Sequence, residues 1–137
     1  MNIAPARPVS RDITTGNDVG VVVRGFYRAA IPDPLLGPVF ERFGVDWPRH
    51  LPRLVAYWEH VLLSRPGLAT NTVAVHAGVQ QVAPFGPAQI TRWVELWEET
   101  VDEFYVGPVA DLAKARAHEV GRALRAVARR RQGGAVE

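Results

Sequence analysis

The chain has 137 residues, 47% of them apolar and 22% charged, a composition that supports one folded domain and fails the low-hydropathy, high-charge criterion for disorder. At this length roughly two-thirds of the chain's surface can be buried on folding, so a core is attainable without covalent staples. The absence of cysteine excludes a disulfide scaffold, a zinc finger, an iron–sulfur centre, a thiol enzyme and thioether-attached haem. The pI of about 9.5 arises because 15 of the 16 basic residues are arginines, but the net charge is only +2, too small to imply a nucleic-acid partner, and none is expected. Arg122, Arg125, Arg129, Arg130 and Arg131 read instead as the solvated flank of a helix near its favourable pole.

No stretch approaches the ~20 apolar residues of a membrane span, so no membrane partner is expected. Residues 1–11 lack the apolar core of a signal peptide, and the expected location is the cytoplasm. Two prolines and no periodicity make residues 1–12 a flexible extension, residues 13–132 the folded domain, and residues 133–137, opening on Gly133 and Gly134, a tail.

Asn17 or Asp18 is the expected cap of a first helix running to Ala30, where Pro32-Asp33-Pro34 stops it; Val23, Phe26, Tyr27 and Ala30 form its apolar face. A short apolar connection over residues 35–43 leads to Asp46, the cap of a second helix opened by Trp47 and Pro48. Its inward face is Leu51, Leu54, Val55, Trp58 and Leu62, and Pro52 predicts a kink or a start near Leu51. Residues 70–78 read as a short third helix and residues 79–86 as a loop. Pro87 opens a fourth helix with Ile90, Trp93, Val94, Trp97, Val101, Phe104 and Tyr105 on one stripe. Gly107-Pro108 closes it and opens the last, whose stripe is Val109, Leu112, Ala113, Val120, Leu124 and Val127. No segment alternates with period two, so the predicted class is all-α, about five helices in one domain.

In such a domain the informative residues are polar groups on apolar stripes. His60 lies about 200° round its helix from Trp58, and His118 has polar neighbours, so both are expected on the surface. His50 and His76 fall on apolar faces, and Tyr27 and Trp93 also face inward with a polar handle. Each taken alone reads as an ordinary core residue. The carboxylate-bridged di-metal motif, the His-Glu-x-x-His zinc motif, the phosphate loop and the Gly-x-Ser-x-Gly elbow are all missing. With no cysteine and the only methionine at position 1, an axial haem ligand would have to be histidine or tyrosine; the inventory permits a haem pocket without demonstrating one.

Several segments together, in order and over about residues 18 to 128, resemble the group III truncated haemoglobins: Phe26-Tyr27; Asp33-Pro34-Leu35-Leu36-Gly37-Pro38-Val39-Phe40; Asp46-Trp47-Pro48-Arg49-His50-Leu51-Pro52, with Trp58 and Leu62-Leu63; His76; and Arg92-Trp93-Val94. The double-glycine motifs of the first two truncated groups are absent. The resemblance implies a truncated, two-on-two helical sandwich around non-covalent haem b (iron protoporphyrin IX), with His76 as the iron ligand. It also implies that Tyr27, His50 and Trp93 face the bound ligand, with Leu54 one turn beyond His50 and Phe40 packed on the porphyrin. Arg49 and Arg53 are candidate partners of the haem propionates, with a solvated face as the alternative. Tyr57 and Trp97 stand where the family commonly has phenylalanine, and the segment from His76 to Trp93 is longer than in some relatives. The implied function is binding of oxygen, nitric oxide and carbon monoxide at ferrous iron, in ligand redox chemistry (nitric oxide dioxygenation or peroxide reduction) rather than bulk transport, with a reductase as electron donor. A haem-based gas or redox sensor and a haemless helical binding module are the alternatives.

Overall fold

The computed structural model describes residues 11–64 and 86–136, the side chains at 127, 128 and 130–136 excepted. Among the described residues there are five helices and no strand: α1 (Gly16–Ala30), α2 (Gly37–Phe43), α3 (Trp47–Leu63), α4 (Pro87–Phe104) and α5 (Pro108–Val136). The all-α expectation is met. None of these helices is long and apolar enough to cross a membrane.

Local chemistry sets the helix ends. Thr15, not Asn17 or Asp18, caps α1: its side chain accepts from the Asp18 backbone N–H at 3.1 Å, while the Asp18 carboxylate turns back to the Thr15 N–H at 3.1 Å. This reciprocal pair is a capping box, with Asp at the position usually held by Glu or Gln. The expected connection over residues 35–43 contains a helix, α2, because Asp33 organises its entry. One carboxylate oxygen accepts from the Leu35 and Leu36 N–H groups at 3.0 and 3.1 Å, and the Asp33 carbonyl accepts from Gly37 N–H at 2.8 Å. Gly44 then ends α2 at φ 68°, the left-handed region that suits glycine.

Asp46 stands at the cap position of α3 but makes no side-chain cap bond, and Trp47 and Pro48 open the helix as expected. Pro52 neither delays nor breaks it; α3 is continuous from Trp47 to Leu63. Pro52 cannot bond the carbonyl four residues back, that of Pro48, and both residues are exposed, so water can satisfy the freed acceptor. The expected short helix over residues 70–78 lies outside the described residues, as does all of the expected loop over 79–86 except Gly86. The expected tail at 133–137 is a continuation of α5 as far as Val136.

The helices pack as two pairs. α1 lies on α3, α4 lies on α5, and the pairs meet through α1 against α4 and α3 against α5. The second pair is antiparallel. Successive contacts of α5 climb while those of α4 fall: Lys114 with Asp102 at 2.7 Å, His118 with Glu98 at 2.9 Å, and Arg125 with Thr91 at 2.8 Å. Between the pairs sit Phe26, Val22, Val23, Trp58, Ile90, Trp97, Val101, Ala113 and Ala117, all buried.

Arg11 and Asp12, the last residues of the expected extension, are fastened to the domain. Asp12 accepts from the Val109 and Ala110 N–H groups at 2.8 Å each, capping α5 from nearly a hundred residues away. Gly107, at φ 144°, lets the Asp12 side chain approach; a Cβ there would collide with it. Arg11 makes a two-pronged pair with the buried Asp18 at 2.7 and 2.9 Å, and the Tyr105 hydroxyl donates to Asp18 at 3.1 Å. The Arg11 bond, joined by the Thr14 and Thr15 N–H groups, outweighs burial and holds the Asp18 carboxyl far below the usual carboxylate range.

Asp18→Asn is therefore expected to destabilise the fold by roughly 1.5–3 kcal/mol, mostly through the buried N–H and Tyr105 bonds, since Arg11 is exposed and screened. A carboxyl depressed in the folded state contributes its full stability above the unfolded value of about 3.9 and loses it as pH falls further. Urea unfolding should thus show a constant gap between the two proteins from pH 7 to about 5 that narrows below 4. An equal stability of the two proteins at pH 7 would contradict the role given to Asp18.

Candidate functional site

Phe26 and Tyr27 are consecutive on α1, so their side chains leave the helix about 100° apart. Phe26 is wholly buried between the helix pairs, whereas Tyr27 turns toward α2 and the start of α3. There three rings meet: Tyr27 and Trp47 with centroids 5.1 Å apart, Tyr27 and Phe40 5.7 Å, and Phe40 and Trp47 5.3 Å. His50, one turn into α3, lies against Trp47 at 5.9 Å. On the other side Phe26 carries the contact across to α4, meeting the Trp93 ring edge-on at 6.2 Å. Tyr27, Phe40, His50 and Trp93, drawn from four helices, thus fall on one continuous aromatic wall.

The Tyr27 hydroxyl sets the chemistry of this wall. Burial pushes the phenol well above its ordinary range, yet the side chain is only half-buried by surface, so it lines a recess deep in the protein. No hydrogen bond reaches that hydroxyl from the described residues. Trp93 is likewise half-buried with no acceptor for its indole N–H among them, in contrast to Trp97, whose Nε1–H donates to the Ala113 carbonyl at 3.1 Å. A deep donor left unmatched costs roughly 1–3 kcal/mol, which a ligand with an acceptor atom would recover.

An ion pair with a buried carboxylate joins the elements that carry the two donors. The Asp33 carboxylate, in the turn that follows α1, accepts from Arg92 Nε at 2.8 Å, tying that turn to the residue just before Trp93. Burial works against the Asp33 charge, but the Arg92 bond and the Leu36 and Leu35 N–H groups overcome it and keep the carboxyl below its usual range.

Leu54 is half-buried one turn after His50 and packs against the core. Arg49 and Arg53 are exposed on either side of His50. His60 and His118 are exposed as expected, and His118 pairs with Glu98. His76 lies outside the described residues. No cluster of three or more metal-ligating side chains occurs among those described. The sequence reading used Trp47 to open the helix and, by its spacing of three from His50, to turn that histidine inward, but did not name Trp47 as a residue of the wall. It also missed the pairing of Asp33 with Arg92, which no local pattern announces.

No protein-family model matches the chain, and no curated protein matches it. Among solved structures it is similar to the group III truncated hemoglobin from Campylobacter jejuni, with a TM-score of 0.73 over 85% of this chain and 93% of that one, at 19% sequence identity. Two layers of paired helices, the matched length and this superposition lead to one conclusion: the chain has the truncated-globin fold.

Proposed function

We propose that this chain binds haem b non-covalently and uses it to take up diatomic ligands, oxygen, nitric oxide and carbon monoxide, for redox chemistry on the ligand rather than for bulk oxygen transport. The observation that carries the reading is the Tyr27 hydroxyl, a deep donor without a partner among the described residues, set in a wall of aromatic rings. Flat apolar rings suit a porphyrin, and the structural neighbour is a truncated hemoglobin.

Haem, when bound, supplies a ferrous iron that takes up diatomic ligands and exchanges electrons with them. Tyr27 and Trp93 then offer an O–H and an N–H to a ligand atom carrying partial negative charge, and in a site closed to water each bond is stronger than in solution. Two such donors slow ligand release, which favours reaction over delivery. His50 is a further ring-nitrogen donor at the edge of the recess, or its gate. His76 is the proposed iron ligand, with its second ring N–H held by a carbonyl or carboxylate that fixes the tautomer. Arg49 and Arg53 are the proposed partners of the propionates, and a reductase is the proposed source of electrons.

Titration with haemin tests this. Because Trp47 and Trp93 belong to the wall, tryptophan fluorescence should fall to a plateau at one equivalent; a slow decline without a break would contradict haem binding.

A further inference from the structure

A second run of rings starts at Trp93 and leads away from the recess. Trp93 is stacked on Trp97 with centroids 6.5 Å apart and planes at 16°. Trp97 is stacked on Trp58 at 4.4 Å and 23°, and Trp58 meets Tyr57 edge-on at 5.4 Å. The run ends at the α3–α5 surface, where the half-buried Tyr57 accepts hydrogen bonds from Nε and Nη2 of Arg116 at 3.3 and 3.2 Å. All four rings can lose one electron under strong oxidants, which phenylalanine resists.

We propose that Trp93, Trp97, Trp58 and Tyr57 form a one-electron relay between the recess and the surface. Through it a one-electron, one-proton reductant in solution, of the ascorbate class, quenches an oxidant generated in the recess from a peroxide. The oxidant rests on the haem reading; the path does not. In the first step the oxidant gains one electron and the Trp93 indole loses one. The vacancy then passes outward as Trp97, Trp58 and Tyr57 each give one electron to the preceding ring.

The interior steps leave the protons in place. Trp97 and Trp58 are buried, and the Trp97 N–H is held by the Ala113 carbonyl, too weak a base to remove its proton, so the vacancy moves on instead of being fixed there. Tyr57 differs because water reaches it. As it gives up its electron it releases the phenolic proton to solvent, since the Arg116 guanidinium, always protonated, cannot accept it. The reductant then gives one electron and, from its own O–H, one proton, and leaves as its radical; within the protein the Tyr57 O–H is the only bond broken and remade.

Pulse radiolysis of the full chain with azide radical, which oxidises indole and is itself reduced to azide, tests the relay. Tryptophanyl absorbance should decay as tyrosyl absorbance grows, in a first-order step whose rate does not depend on protein concentration. Tyr57→Phe should lose that growth, Trp97→Phe should lose most of it, and Tyr105→Phe should keep it. Growth that survives Tyr57→Phe, is unaltered by Trp97→Phe, or is absent from the unaltered chain would overturn the relay. Tyr57 is half-buried and its substitution removes a single hydroxyl, so that variant decides the matter even if Trp97→Phe folds poorly. Azide radical replaces the oxidant of the recess, so a chain that takes up no haem but shows the transfer would refute the proposed function and leave the relay standing.

Discussion

Tyr27→Phe and Trp93→Phe are each expected to speed oxygen dissociation from the haem-loaded protein about ten- to a hundredfold, because losing a hydrogen bond to a partly charged acceptor costs roughly 1.5–3 kcal/mol. Tyr27→Phe keeps the ring in contact with Phe40 and Trp47 and removes only the hydroxyl, which has no partner among the described residues. Trp93→Phe keeps an aromatic face toward Phe26 while removing the indole N–H. Carbon monoxide carries less charge on its oxygen and should respond less. The two donors share one acceptor, so the double variant should change the rate by less than the product of the single effects. Stopped-flow measurement on the four proteins decides it. Unchanged off-rates in both single variants would make the two side chains mere core aromatics, and an effect from Tyr27 alone would make Trp93 a wall of the pocket and His50 the next residue to substitute.

The second large effect is expected at His76. His76→Ala should abolish haem retention or weaken it greatly, whereas His60→Ala and His118→Ala, both at exposed positions, should leave the spectrum unchanged. Imidazole added to the His76→Ala protein supplies the missing nitrogen in free form and should restore part of the haem uptake. A native iron–histidine vibration in the His76→Ala protein would overturn the assignment and move it to another histidine.

What could be read in the sequence was what local periodicity carries. The stripe read for α4 named Ile90, Trp93, Val94, Trp97, Val101, Phe104 and Tyr105, and all are buried except Trp93 and Phe104, which are half-buried, because a 3.6-residue repeat projects directly onto one helix face. Pro87 and the Gly107-Pro108 pair marked helix ends for the same local reason. The order of Tyr27, Phe40, His50 and Trp93 along the chain was legible through the family resemblance, and the structure gathers the four on one wall. What was hidden depends on partners far apart in sequence. α2 forms because Asp33 folds back on Leu35 and Leu36 while Arg92, 59 residues on, neutralises its charge. Arg11 and Asp12 look like loose chain until Asp18, Val109 and Ala110 are known to be their partners. The cap at Thr15 was obscured because Asn17 and Asp18 are themselves good capping residues, and only the backbone N–H geometry selects among the three.

Haem binding by this chain is tested most directly by the absorption spectrum of the purified protein, recorded before and after one equivalent of haemin, reduction and carbon monoxide. Saturation at one equivalent, with a sharp Soret band that shifts on reduction and again on adding carbon monoxide, is the expected result. A spectrum that remains the sum of protein and free haemin at every step would contradict it.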